Sequence, residues 1–202
     1  MAAGKSQSTY FTTRDLVFIA VFAAAWGLVE TSLGSYLHAA RIPFRGAALT
    51  ALGLLAALTG RSLVPRRGTV LMIGLVTALL KLLSLGGVVL SPLLAIVIES
   101  ALAEWALWPW ARPGRSAFAL AGALAELWTV IHPFLTQGLL AGSGLFTVYG
   151  WLLQSTAQAL PWGSKVTVLL VGVAILVPAL LGTAAGLIAC SLGRELQARL
   201  AH

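Results

Sequence analysis

Six ionisable side chains lie inside long apolar stretches of this chain: Glu30, Lys81, Glu99, Glu104, Glu126 and His132. A charge that faces lipid at the centre of a membrane-spanning helix costs about 2.5–3.5 kcal/mol on insertion scales. We therefore expect these groups to face inward, around a polar chamber that takes a ligand. A purely structural alternative is pairing between helices, for instance of Lys81 with a glutamate, or a protonated glutamate that acts as a hydrogen-bond donor. Because these carboxyl groups outnumber the lysine four to one, we do not expect this alternative to account for all of them together.

The composition indicates which elements hold these groups. The chain has 202 residues, of which 59% are hydrophobic and 9% are charged, and its mean hydropathy is +0.94. Soluble domains carry about a quarter charged residues, and disordered chains are far more polar. Since a span needs about 20 apolar residues, the length allows about six. The prediction is an all-α integral membrane protein with one membrane domain, residues 1–202.

Hydropathy along the chain places the six predicted spans at about 15–37, 44–63, 68–85, 88–108, 116–140 and 166–192. Residues 143–163 are semi-polar and aromatic, and we interpret them as a loop or an interfacial helix. The tail after the last span is polar and predicted to be helical.

The basic residues predict the orientation. Nine of the 13 Lys and Arg residues fall on the side of the N-terminus, three fall on the opposite side, and Lys81 lies within the third span. Cytoplasmic loops carry the excess of bases, so both termini are expected in the cytoplasm of a cell-membrane protein. The bases occupy short loops without a dense basic tract, which gives no reason to expect a nucleic acid partner.

Depth along the spans separates the ionisable groups. Three are predicted in the outer half and two near the middle: Glu30, Lys81 and His132, then Glu99 and Glu126. Glu104 lies deeper, towards the cytoplasm, and is the best candidate for a structural role. The site is therefore expected to open to, or close just beneath, the outer face.

Aromatic side chains accompany this predicted site. Trp128 lies between Glu126 and His132 in the fifth span, and Tyr149 and Trp151 lie in the segment 143–163. That segment emerges on the outer side, where its rings are expected to form a lid over the ligand.

Small residues form a second pattern. Ala20 and Ala24, with Gly27 one turn on, are predicted to line one face of the first span, and Gly182 and Gly186 make a GxxxG on the last. Such faces permit close approach of helices. Packing within the fold is the default expectation, and docking to another membrane protein is the alternative for the alanine face.

The chain resembles the substrate-binding S components of energy-coupling factor (ECF) transporters over nearly its whole length. The topology is similar, and Ala20-Val-Phe-Ala-Ala24 stands where many members carry an AxxxA motif that contacts the coupling subunit. The stretch LHAARIPFRG at 37–46 resembles the first outer loop of uncharacterised members.

This resemblance implies capture of a micronutrient at the outer face, followed by association with a transmembrane coupling subunit and two ATPase subunits. The chain itself has no Walker A motif, so it is not expected to be an enzyme, and no cofactor is expected. Metal-specific relatives use an N-terminal histidine extension that MAAGKSQSTY lacks. The carboxyl groups, His132 and nearby tryptophans suit a cationic or amine-bearing heteroaromatic substrate of the thiamine or pyrimidine-precursor type, whereas Lys81 would suit a substrate carboxylate or phosphate.

Three alternatives remain open at this point. An intramembrane enzyme would use Glu and His for acid–base chemistry or metal ligation, although Glu126 and His132 are spaced onto different helix faces and no paired-histidine motif occurs. A proton-coupled carrier would use Glu99 and Glu126 as relay groups. A structural subunit would bind no ligand.

Overall fold

The structure is a computed structural model that describes residues 10–39, 44–83, 90–110, 112–141 and 163–201. Within these ranges the regular structure is entirely helical, and the helices are numbered in chain order: α1 Thr13–Leu28, α2 Gly34–Ala39, α3 Arg45–Leu63, α4 Thr69–Leu82, α5 Leu90–Leu107, α6 Arg115–Ala141 and α7 Gly163–Leu200. A π-helical turn, Val29–Leu33, joins α1 to α2. The all-α prediction is therefore confirmed for the described residues.

The first predicted span differs from prediction because its helix is interrupted at the π turn. The Thr31 hydroxyl donates to the Gly27 carbonyl oxygen at 2.9 Å, and the Ser32 hydroxyl donates to the carbonyl of Leu28. Hydroxyl groups that bond back to the preceding turn compete with the backbone ladder and bend helices. Such π turns are frequent at functional sites, and this one carries Glu30.

Six helices close into a ring when α1, the π turn and α2 are counted as one. Each packs against the next in the order α1, α4, α5, α6, α7, α3 and back to α1, and α3 also contacts α4, α5 and α6. Successive helices run in alternating directions, as the contacts at their ends show.

One end of the bundle is rich in arginine, and we call it the arginine end. Here the Arg66 Nε atom lies 2.8 Å from an Asp15 carboxylate oxygen at the start of α1, and the Gln197 amide near the end of α7 donates to the Ser62 carbonyl. The first and last helices therefore begin and finish at the same end. Lys81 lies twelve residues beyond Thr69 on α4, or about 18 Å of helix away, at the opposite end.

The surface of the bundle is apolar. Large exposed hydrophobic side chains lie along several helices, among them Val17, Val21, Leu79, Val168, Leu169, Leu176, Leu180 and Ile188. Four helical segments are long and apolar enough to cross a membrane: Thr13–Leu33, Arg45–Leu63, Leu90–Leu107 and Val171–Leu200. A water-soluble monomer rarely exposes this much contiguous apolar surface, so the chain is a membrane protein.

Glycines bring α6 and α7 into backbone contact. A Cβ atom added at Gly182 would overlap the carbonyl of Gly122, and one added at Gly186 would overlap the carbonyl of Phe118. The predicted GxxxG therefore packs within the fold. Along the predicted face of α1, Gly27 is buried against Leu80 of α4, whereas Ala20 and Ala24 are exposed.

Candidate functional site: a buried acidic cluster

Glu30 and Lys81 form an ion pair at the end of the bundle opposite the arginine end. The Lys81 Nζ atom lies 3.4 Å from a Glu30 carboxylate oxygen and donates to the Glu30 backbone carbonyl at 3.0 Å. Both side chains are largely buried. The π turn shifts the backbone ladder so that this carbonyl can accept from lysine. The pairing that the sequence offered as a structural alternative is thus present for these two residues.

Glu99 lies in the core of the bundle on α5 and is 3% exposed. One of its carboxyl oxygens accepts a hydrogen bond from the Thr50 hydroxyl of α3 at 3.1 Å. A single neutral donor leaves most of the hydrogen-bonding capacity of a carboxylate unused. Glu99 therefore has acceptor capacity left for a ligand or a water molecule.

Glu126 of α6 is completely buried, and neither of its carboxyl oxygens has a hydrogen-bond partner among the described residues. Its Cβ atom lies against Gly182 of α7, which leaves room for the carboxyl group by having no side chain. An unsatisfied buried polar group costs about 1–3 kcal/mol and more when it is charged. Natural proteins retain such a group when something else satisfies it in the working state.

Two tryptophans place further unpartnered groups in the interior. Trp26 of α1 is 0% exposed, and its indole ring lies against Gly53 of α3, where any Cβ atom would overlap it. Its indole N–H has no acceptor among the described residues, and neither does the buried N–H of Trp128 on α6. Buried indole N–H groups usually find an acceptor.

His132 lies beside Trp128, with ring centroids 6.1 Å apart and planes tilted by 54°. The His132 Nε2 atom is 3.0 Å from the Ser91 carbonyl oxygen of α5 and 3.3 Å from the Ser91 hydroxyl. Because a carbonyl oxygen only accepts, Nε2 carries the proton in this arrangement. The contact ties α6 to the beginning of α5.

The three carboxyl groups are electrostatic neighbours. The carboxyl group of Glu30 lies within electrostatic range of Glu99, and that of Glu99 lies within range of Glu126. We call Glu30, Lys81, Glu99 and Glu126 the acidic cluster. A cation placed between these groups would be attracted by more than one carboxyl group in a medium of low dielectric constant.

Glu104 has the structural role that the sequence predicts. Its two carboxylate oxygens accept from the backbone N–H groups of Gly68 at 2.7 Å and Val70 at 2.9 Å. These are orphan donors at the N-terminus of α4, where a negative charge is also favoured by the helix dipole. Glu104 thus joins α5 to α4 at the arginine end and is not part of the acidic cluster.

The remaining predicted site residues divide into two groups. Tyr149 and Trp151, with the lid predicted over 143–163, lie outside the described residues. Ala20 and Ala24 are exposed on α1, beside the buried side of the helix that carries Ala23 and Trp26. That face is open to lipid or to a partner.

Sequence reasoning missed Trp26, Thr50 and Ser91. Thr50 and Ser91 carry no charge, and hydroxyl groups are too common in apolar spans to single out. Trp26 falls in the middle of a predicted span, away from the membrane interfaces where tryptophan is enriched, and that position was its one available signal.

Within the described ranges, no three His, Cys, Asp or Glu side chains are grouped so that they could hold a metal ion. Comparisons with protein-family models, with curated proteins and with solved structures found no match.

Proposed function

We propose that this chain is the substrate-capture subunit of an ECF-type importer and that it binds a small amine-bearing heteroaromatic compound. The observation that carries the proposal is a set of buried polar groups that have no partner in the described part of the chain: the Glu126 carboxyl oxygens and the indole N–H groups of Trp26 and Trp128. The set contains both acceptors and donors. A ligand with its own donors and acceptors would form hydrogen bonds with them. Such bonds contribute more binding free energy in a buried site than at a water-exposed surface.

The character of the ligand follows from the surrounding groups. Two carboxyl groups of the acidic cluster, Glu99 and Glu126, have no base paired with them among the described residues, so both can accept hydrogen bonds from the N–H groups of a cationic or amine-bearing compound. The aromatic pair Trp128 and His132 provides a surface for a flat ring. Thiamine and its aminopyrimidine precursor combine these properties and serve as the first probes.

The proposed topology is six membrane spans with the arginine end in the cytoplasm. Arginines concentrate at the end where α1 begins and α7 finishes, as the excess of bases on cytoplasmic loops requires. The Glu30–Lys81 pair then lies towards the outer face of the cell membrane, where a capture subunit meets its substrate.

The proposed partners are a transmembrane coupling subunit and two ATPase subunits. The supporting feature is the exposed face of α1 that carries Ala20 and Ala24, together with exposed Val17 and Val21. Small residues on such a face let another helix approach closely. The Ala20→Leu and Ala24→Leu variants are expected to bind substrate normally but to assemble poorly with the coupling subunit. Intact transport by both would remove this face from the proposal.

The central test uses purified protein without ATP. Small molecules that co-purify are identified by mass spectrometry, and thiamine binding is measured by calorimetry on wild type, Glu126→Gln and Glu195→Gln. Glu126→Gln is expected to lower affinity at least about tenfold, because an amide replaces an acceptor that attracts a cation. Glu195→Gln is the matched control, since Glu195 is exposed and pairs only with Arg199.

Other outcomes would contradict the proposal in identifiable ways. Equal affinity of the two variants for any co-purified compound would exclude Glu126 from the site. Conversion of a substrate by the purified chain would indicate an enzyme.

A proton-coupled carrier is the second candidate, because Glu99 and Glu126 are buried acids that influence each other electrostatically. Such acids are the usual relay groups of carriers. In liposomes that contain this chain alone, proton movement driven by a substrate gradient would support the carrier and contradict capture.

A further inference from the structure

A cavity lies at the arginine end, between the ends of α3 and α7 and the beginning of α6. It has a volume of about 280 Å³, and three arginines line it: Arg61, Arg112 and Arg194. Phe118 and Cys190 form part of its apolar wall. It has no residue in common with the acidic cluster. We call it the arginine cavity.

Arg61 is the unusual member, because a guanidinium group is rarely buried. Its exposed fraction is 2%, its Nη1 atom donates to the Val64 carbonyl oxygen at 3.3 Å, and its Nε atom has no partner among the described residues. A buried charge is costly unless it is paired. Arg61 therefore needs a negatively charged partner, and none of the described residues places one in contact with it.

Among the described residues, no carboxylate is in contact with the three arginines of the cavity. The sequence has six acidic residues, and all six are described. Asp15 binds Arg66, Glu195 binds Arg199, and Glu104 accepts from backbone N–H groups. The other three belong to the acidic cluster. Glu104 acts on Arg61 only through its field.

The arrangement of donors identifies the class of ligand. Guanidinium groups bind tetrahedral oxyanions through paired N–H donors, and arginine is preferred over lysine where such planar recognition is needed. The loop that carries Arg112 also carries exposed Trp108 and Trp110, which are typical of the membrane interface. We propose that the arginine cavity binds a phosphate group, either of an anionic lipid headgroup or of a soluble phosphate.

The test compares two double variants of the full chain. Arg112→Gln/Arg194→Gln removes the two exposed arginines of the cavity and leaves buried Arg61 in place. Arg14→Gln/Arg67→Gln removes the same charge from arginines of the same end that stack on Phe18 and Trp108. Unfolding temperatures without added anion verify that both variants are folded.

Two probes distinguish the sources of the phosphate group. Inorganic phosphate is titrated into detergent-solubilised protein by calorimetry. Phosphatidylglycerol is offered in phosphatidylcholine nanodiscs, and bound lipid is counted by native mass spectrometry. For whichever probe wild type binds, we expect Arg112→Gln/Arg194→Gln to lower the affinity by at least about tenfold. The control Arg14→Gln/Arg67→Gln is expected to lower it by less than about threefold.

Each outcome decides the proposal. If only Arg112→Gln/Arg194→Gln loses affinity, and only for phosphatidylglycerol, the ligand is a lipid headgroup. If only this variant loses affinity for inorganic phosphate, the ligand is a soluble phosphate. Equal loss in both double variants would mean general charge attraction and would overturn the cavity as a site. Failure of wild type to bind either probe would overturn it too.

Discussion

The acidic cluster and the arginine cavity lie at different heights of one bundle and handle charge in opposite ways. In the acidic cluster, carboxyl groups outnumber the single lysine, and Glu126 has no partner among the described residues. In the arginine cavity, three guanidinium groups line one space, and none of them is paired with a carboxylate among the described residues. Local contacts satisfy the acids Asp15, Glu104 and Glu195. Glu126 and Arg61 are buried and keep polar atoms without a partner among the described residues, one in each region, and both regions are where ligands are proposed.

The largest expected loss of stability comes from disrupting the backbone contact between α6 and α7, which supports both regions. Gly182→Val is expected to destabilise the protein by more than about 3 kcal/mol, because the new side chain would overlap the Gly122 carbonyl and no flexible side chain can give way. Thermal unfolding in detergent and size-exclusion profiles measure this. Gly172→Val on the same helix is the control, since an added Cβ there meets nothing within 4 Å. Similar unfolding of the two variants would refute the contact.

A smaller loss of stability is expected when Glu104 is replaced. Glu104 is one of the carboxylates at the arginine end that already have hydrogen-bond or ionic partners. Glu104→Gln should cost about 2 kcal/mol, because an amide can accept with one oxygen where the carboxylate accepts from both Gly68 and Val70. Chemical unfolding in detergent gives the value. Glu195→Gln, at an exposed pair, should change stability by less than about 0.5 kcal/mol. If the two variants cost the same, Glu104 does not cap α4.

The Glu30–Lys81 ion pair of the acidic cluster is expected to contribute about 1 kcal/mol to the free energy of unfolding. Part of the loss in a Lys81 variant would arise because the Glu30 carboxylate is then buried without its partner. Lys81→Met should destabilise more than the double variant Glu30→Gln/Lys81→Met, since the double variant removes the unpaired charge. A double-mutant cycle on unfolding free energies measures the coupling. Zero coupling would show that the two groups act independently and would weaken the comparison between the regions.

The smallest effect on stability is expected at Glu126, although its effect on binding is expected to be large. Glu126→Gln should change the unfolding free energy by less than about 1 kcal/mol without ligand, because no hydrogen bond within the described protein is lost. The contrast with Glu104→Gln sharpens the difference between a binding carboxylate and a structural one. A loss as large as that of Glu104→Gln would place Glu126 among the structural carboxylates.

Hydropathy predicted the helices well because each apolar run is long and bounded by polar residues. The predicted 44–63 and 88–108, for example, compare with Arg45–Leu63 and Leu90–Leu107. The π turn was not predictable from periodicity, because it depends on hydroxyl groups that bond to their own helix and on Lys81 of another helix.

The two charged regions differ in how far the sequence predicted them. Glu99 and Glu126 were identifiable because a charge inside an apolar run is conspicuous. Arg61 was interpreted as an ordinary loop-side base, because it stands next to Pro65, Arg66 and Arg67 near a helix end. Its burial arises from α6 and α7, which lie far away in sequence.

The contact between α6 and α7 bears on how the proposed substrate would enter. Two helices whose backbones touch have no layer of side chains along which one could slide past the other, so we expect α6 and α7 to move together. At the boundary between α1 and α4, by contrast, Gly27 meets Leu80 through side-chain atoms. The Thr77 hydroxyl also donates to the Ala23 carbonyl there, and Lys81 pairs with Glu30 at one end. In the proposed capture subunit we therefore expect the ligand to enter between α1 and α4, by a movement that breaks this hydrogen bond and this salt bridge.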